Sequence, residues 1–280
     1  MSADVFLNTN SFGRLSESED TLIIELSENF IEFCELNSSQ NQLLYICNYP
    51  VESIIEMSLA EHLINAVKHL QFSKKHYQHV LVNYVTKQFT LCPSNFYSLG
   101  NARAILEFNV GSVNGQLILT DEINSDIKLI YAMDEQLKSM LDRLYPQHQL
   151  KHSLTVLSKL MISAEEFTKE NIILSVHSDH IELVVKQDNK VVLANQFSVK
   201  TPEDILYYLL FVMEQYQFNP LFVTVSVLGN VNADSSLISS LKKYIKNIRL
   251  AKGHKSLNWS EVQGMPQHFN YTLINRLFCE

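Results

Sequence analysis

Residues 171–229 read NIILSVHSDHIELVVKQDNKVVLANQFSVKTPEDILYYLLFVMEQYQFNPLFVTVSVLG, and the order of elements in this stretch decides the fold. Three short apolar segments come first, at 172–176, 180–186 and 191–199. Polar turns separate them, His177-Ser178-Asp179 and then 187–190. A helix is predicted from 202 to 217. Thr201 supplies the N-cap, Pro202 suits the first helical position, and Glu203 and Asp204 complement the positive end of the helix dipole. Its residues are apolar nearly all round from Ile205 to Met213, which predicts burial on more than one side. Asn219-Pro220 ends it. Segment 221–228 is a near-continuous apolar run, as expected of a central strand covered on both faces, and it closes at Gly229.

The same order recurs near the N-terminus. Segments 22–26, 30–36 and 42–49 read as strands around the turns Ser27-Glu28-Asn29 and 37–41. Segment 58–70 places Leu59, Leu63, Ala66, Val67 and Leu70 on one helical stripe. The two copies align at an offset of 150 (Ile31 against Ile181), then 148 across 41–49, then 146 across 69–72, so the gaps fall in loops. Identity is thin, and the shared order of strand, strand, strand, helix, strand carries the comparison. The strand at 80–85 completes the first copy, and with 88–91 it reads as a hairpin around Thr86-Lys87; between the copies, 93–108 reads as a helix. Segments 117–123 and 128–133 read as a strand pair. Asp134 caps a helix that Pro146 stops, and 152–166 reads as a helix bridging the halves. After them, 235–244 reads as a helix, 246–250 as a last strand, and 251–280 as a tail packed back on the body. The domains expected are a flexible arm at 1–20, with Val5 to Leu7 adding to a sheet edge, one lobe at 21–150 and a second at 151–280.

Composition narrows the function. The chain has 280 residues, 46% hydrophobic and 19% charged, which excludes a disordered chain. Against 22 Lys and Arg stand 30 Asp and Glu, a net charge of -8, which argues against a nucleic-acid binder that must displace counterions with a basic face. The one basic cluster, Lys242, Lys243, Lys246, Arg249, Lys252 and Lys255, reads as a solvated helix face and loop. Cys34, Cys47, Cys92 and Cys279 form no CxxC pair and read as buried reduced thiols. Residues 1–18 lack the apolar core of a signal peptide, and the longest apolar run, 205–213, is far short of the ~20 residues a bilayer needs. A cytoplasmic protein without membrane insertion is expected.

Three antiparallel strands feeding a helix and then a strand parallel to the first form the unit of ribonuclease-H-like domains. Two such units resemble the superfamily of actin, sugar kinases and heat-shock ATPases. The fold expected is therefore α/β: a duplicated ribonuclease-H-like, actin-like fold of two lobes. Each lobe has a mixed sheet, three antiparallel strands then parallel strands, covered by helices. More closely, Phe89-Thr90-Leu91-Cys92-Pro93-Ser94-Asn95-Phe96-Tyr97 with Phe108-Asn109, and 193–197 with 203–211, resemble an uncharacterised family of actin-like-fold proteins from Bacteroidetes-type bacteria. That resemblance covers nearly the whole chain. It implies the fold and brings no activity with it.

In the superfamily, the turns between the first and second strands of both halves face nucleotide phosphates. Glycines there let backbone amides approach, and an Asp holds the metal. The resemblance thus points to Ser27, Glu28 and Asn29, and to His177, Ser178 and Asp179. Gly229 and Asn230 stand where a Gly-Gly pair would meet the adenosine. Neither turn contains glycine, and a Cβ there blocks close approach of the backbone. The expectation is a degenerate nucleotide cleft with no catalytic residue, no cofactor and no metal. The protein would be a non-catalytic protein-binding or scaffolding module with an unidentified protein partner. The alternative is an ATP-binding protein or ATPase with atypical phosphate contacts. A two-metal nuclease would need converging carboxylates, and Glu25 and Glu32 read as neighbours on an exposed face. The pairs His177 with His180 and His76 with His79 lack further ligands at zinc spacing and read as hairpin or surface histidines. Walker, Rossmann and nucleophile-elbow motifs are absent.

Overall fold

A computed structural model of the chain describes residues 5–6, 20–51, 57–72, 76–164, 167, 172–259 and 265–279. The chain divides into two compact units, Met1–Thr155 with Ser256–Met265, and Val156–Lys255 with Pro266–Glu280.

In the first unit, β1 (Val5–Phe6), β2 (Asp20–Leu26), β3 (Phe30–Asn37) and β4 (Gln42–Pro50) precede α1 (Leu59–His69) and β5 (His79–Tyr84). An inserted layer follows: β6 (Phe89–Pro93), α2 (Ala102–Val110), β7 (Gln116–Glu122) and β8 (Ile127–Asp134). α3 (Glu135–Leu144) and β9 (Gln149–His152) then return to the main sheet, whose order is β1-β4-β3-β2-β5-β9. β2 pairs antiparallel with β3 and parallel with β5, and β5 pairs parallel with β9. The expected addition of the N-terminal arm to a sheet edge is found at Val5 and Phe6, opposite Cys47 and Ile46; Leu7 lies outside the described residues. The core packs Leu22, Ile24 and Leu26 of β2 against Leu63 and Val67 of α1 and Leu137 and Leu141 of α3.

α4 (Ser153–Ser163) crosses the unit boundary. The second unit continues with β10 (Ile172–Val176), β11 (His180–Gln187), β12 (Lys190–Ser198), α5 (Pro202–Gln215), β13 (Thr224–Gly229), α6 (Ser236–Tyr244), β14 (Asn247–Leu250) and α7 (Tyr271–Ile274). The sheet order is β12-β11-β10-β13-β14, with β10 antiparallel to β11 and parallel to β13. Ile172, Leu174 and Val176 pack against Leu209 and Val212 of α5 and Leu237 and Leu241 of α6. Strand alternation therefore sends Ile173 and Ser175 to the sheet face away from α5 and α6.

Both helices that follow the third sheet strand begin with a capping box. In α1, Ser58 Oγ accepts from the Glu61 amide and Glu61 accepts from the Ser58 amide at 2.7 Å. In α5, Thr201 and Asp204 repeat the arrangement, with Asp204 also accepting from the Lys200 amide at 2.8 Å. These reciprocal bonds satisfy amides that have no partner inside the helix.

Several sequence expectations require correction. Segments 80–85 and 88–91 are not a hairpin: β5 lies in the main sheet beside β2, while β6 belongs to the separate sheet β6-β8-β7. The helix expected at 93–108 begins at Ala102, after a 3-10 turn at Ser94–Phe96. β9 is not expected from sequence, because Gln149–His152 carries only one apolar residue, Leu150. α5 buries one side only. Ile205, Leu209, Val212 and Met213 are buried, whereas Tyr207 is 63% and Phe211 43% exposed.

Candidate functional site

The two turns singled out from sequence have the same backbone design. The Ser27 amide donates to Phe30 O at 3.0 Å, and the His177 amide donates to His180 O at 3.0 Å. Glu28, Asn29 and Ser178 are exposed, and Ser27 is buried. In the second unit, Val176 lies opposite Gly229 in the parallel register, so His177-Ser178-Asp179 adjoins Gly229-Asn230. Here the Gly229 amide donates to His268 O at 2.8 Å, and the Asn230 amide donates to Val176 O at 3.0 Å. His268, buried in the tail, also sets its ring Nε2 2.7 Å from Val231 O. The loop after β13 is thus tied down by the protein's own groups. Gly229 is required there: its φ is +90°, and a Cβ would collide with Val176 O.

The face of the second sheet away from α5 and α6 collects polar side chains. Ser175 and His177 on one side of the turn, and His180 and Glu182 on the other, share it by alternation. His177 Nε2 lies 3.1 Å from Ser175 Oγ and 3.3 Å from Glu182 Oε2. The His177 and His180 rings stack at 4.3 Å with 9° between planes. His180 Nδ1 is 2.7 Å from Asp179 Oδ1, while its Nε2 is buried with no hydrogen-bond partner. Burial first, and His177 second, hold His180 below the ordinary histidine range, against the pull of Glu182 and Asp179. Its ring is therefore neutral at physiological pH. His76 and His79, the other close pair, are both exposed.

Glu182 and His268 were missed in the sequence. Period-two alternation would have found Glu182, since 175, 177, 180 and 182 fall on one face once the turn at 178–179 is fixed. His268 left no local signal, because it reaches Gly229 from the far end of the chain.

In the first unit the corresponding row is different. Glu25 and Glu32 face each other in register, with Asn83 opposite Glu25 and Asn48 opposite Glu32. Asn83 Nδ2 donates to Glu25 at 3.2 Å, and Asn48 Nδ2 donates to Glu32 at 3.2 Å. These carboxylates are buried, 3% and 7% exposed, which corrects the reading of an exposed face. They are held by amide donors. All four cysteines are buried and none is in a disulfide, and burial raises the Cys34 thiol well above its usual range and Cys47 to about 12, so neither is a thiolate at neutral pH. No helix among the described residues is long and apolar enough to cross a membrane.

Comparison with solved structures supports the fold. A Bacteroides thetaiotaomicron protein with an actin-like ATPase fold and unknown function is 22% identical over 86% of this chain and 93% of its own, with a TM-score of 0.73. The PilM–PilN type IV pilus biogenesis complex gives 12% identity, 95% and 99% coverage and a TM-score of 0.59. The cytoplasmic domain of EpsL, an inner membrane component of the Vibrio cholerae type II secretion system, gives 12%, 93% and 95%, and 0.51. The chain has the actin-like ATPase fold. No curated protein matches its sequence. Residues 9–248 match the family described as protein of unknown function (DUF3822), and the chain belongs to that family.

Proposed function

We infer that the chain is a non-catalytic protein-binding module of the actin-like fold, with a degenerate nucleotide site. The observation that carries this reading is a run of aromatic rings from β12 onto α5. Phe197 stacks on Tyr208 at 4.5 Å, Tyr208 meets Tyr207 at 5.3 Å, and Tyr207 lies 6.1 Å from Phe211. Tyr207 and Phe211 are exposed, and so are Leu221 and Phe222 in the turn after α5. Aromatic groups left in water at this density are the usual anchors of protein interfaces.

The adjoining edge favours an extended partner segment. β12 is the outermost strand of its sheet among the described residues, whereas its counterpart β4 is covered by β1. A partner strand on β12 would satisfy the open backbone groups and lay its side chains over the rings. The Gly229 and Asn230 amides, at the place of the adenosine-contacting pair, are already tied to His268 O and Val176 O, and neither phosphate turn carries a glycine. The PilM–PilN complex offers a precedent in which a protein of this fold is found with a protein partner.

The test compares partners captured from the native host by the full chain and by a Tyr207→Ser, Phe211→Ser double variant. A protein held by the first and released by the second, with both equally folded by circular dichroism, is expected. Equal capture by both would contradict the assignment of this face.

A further inference from the structure

We propose that the hairpin face of the second unit's sheet is a binding site for a zinc-class divalent cation, held by His177, His180 and Glu182. Each of these residues offers one ligand atom, and the three atoms lie within 4.8 Å of one another. His177 Nε2 and Glu182 Oε2 are 3.3 Å apart, close to the separation of two ligands on one tetrahedral zinc with bonds of about 2.0–2.1 Å. Two imidazoles and a carboxylate suit zinc and its transition-metal neighbours, whereas magnesium and calcium take all-oxygen shells.

The His177 and His180 rings stack with 9° between planes, so ligation by both requires one ring to turn until the two in-plane lone pairs meet at one ion. The stacked pair with one ion pair explains only part of the cluster. It accounts for His177 and Glu182 and leaves His180 Nε2 buried without a partner. The other nitrogen of His180 faces the Asp179 carboxylate at 2.7 Å. That is the arrangement of a metal-ligating histidine, which passes its second N–H to a carboxylate and so fixes ring and tautomer. Asp179 is therefore a positioning residue. The ligands sit at the ends of two paired strands, β10 and β11, closed by a tight turn, which limits how far they can separate. Ser175 Oγ lies beside His177 Nε2 at 3.1 Å, and the His177 side chain is 13% exposed, leaving a fourth position that solvent can reach. The site occupies the turn where the superfamily resemblance would place phosphate. It does not depend on the aromatic face of α5.

The experiment uses the full chain, stripped with a chelator and titrated with Zn²⁺ in competition with a chromophoric chelator, with Co²⁺ as a spectroscopic replacement. One Zn²⁺ per chain is expected, with a d–d spectrum of tetrahedral intensity for Co²⁺ and no competition from Mg²⁺. His180→Gln and His177→Gln should each weaken Zn²⁺ at least about 10-fold, and Asp179→Asn by about 10-fold with the stoichiometry kept. His76→Gln should change nothing. Because Glu182 and His180 are buried, each variant's unfolding temperature without metal is measured first, and the partly exposed His177→Gln serves if His180→Gln does not fold. Absence of stoichiometric Zn²⁺ binding by the unaltered chain would overturn the proposal, as would binding that survives both histidine replacements unchanged.

Discussion

The two sheets differ most at equivalent positions around their first turns. In both, the turn closes with a 3.0 Å amide bond, and the next loop is tied back to the first strand: Val85 to Leu26 O at 2.9 Å, Asn230 to Val176 O at 3.0 Å. The side chains diverge on that common frame. The first unit places Tyr84 at the end of its parallel strand, where the second has Gly229. The first carries a carboxylate–amide row of Asn83, Glu25, Glu32 and Asn48, where the second carries Ser175 and Glu182 with two histidines. Backbone hydrogen bonding constrains the turn in both units, while the chemistry on the sheet face is free to change.

The largest test of this contrast is at the strand end. Gly229→Ala forces a Cβ against Val176 O at positive φ, and should cost about 3–5 kcal/mol when strain and overpacking are combined. Tyr84→Gly in the first unit should cost less, about 1–3 kcal/mol, from lost side-chain burial. Urea unfolding of both variants measures the difference, and equal losses would break the distinction. Next in size is Asn83→Ala, which removes a buried donor from Glu25 and should cost roughly 1–3 kcal/mol. Ser175→Ala, at the place equivalent to Glu25, should lower the urea midpoint less.

The smallest effects belong to the features the units share. Ser58→Ala and Thr201→Ala should each cost about 1 kcal/mol by loss of an N-cap. Backbone and side-chain bonds from Ser58 lower the pKa of Glu61, and amide bonds from Lys200 and Thr201 lower that of Asp204. Carboxylates depressed in the folded state stabilise it above the ordinary carboxylate range, and lose that contribution as pH falls through the lowered value. Urea midpoints of Glu61→Gln and Asp204→Asn should therefore lie below the unaltered chain's at pH 6 and approach it at pH 3. A gap that persists at pH 3 in one unit would show that its box acts through more than the charge.

Much of the second unit was legible because local signals agree there. Thr201-Pro202-Glu203-Asp204 marks the start of α5 unambiguously, and the apolar run before Gly229 marks a central strand. The inserted layer of the first unit was misread because two apolar strands joined by 85–88 look like a hairpin whichever sheet each joins. β9 escaped since four residues with one apolar side chain, Leu150, show no alternation, and Pro146 before them reads as the end of α3. The exposure of Tyr207 and Phe211 was hidden for the opposite reason. An all-apolar helix gives no contrast from which to tell its inner from its outer side. The candidate turns were placed by the repeat, but the His177, His180 and Glu182 cluster needed the register of β10 against β11.

The central proposal is an actin-like fold whose turns do not hold nucleotide. It is tested most directly by the unfolding temperature of the full chain with and without saturating ATP and Mg²⁺. A ligand that binds the native state alone must raise that temperature. The account predicts no change at any ATP concentration. A saturable rise of several degrees would contradict it, and would favour an ATP-binding protein with atypical phosphate contacts.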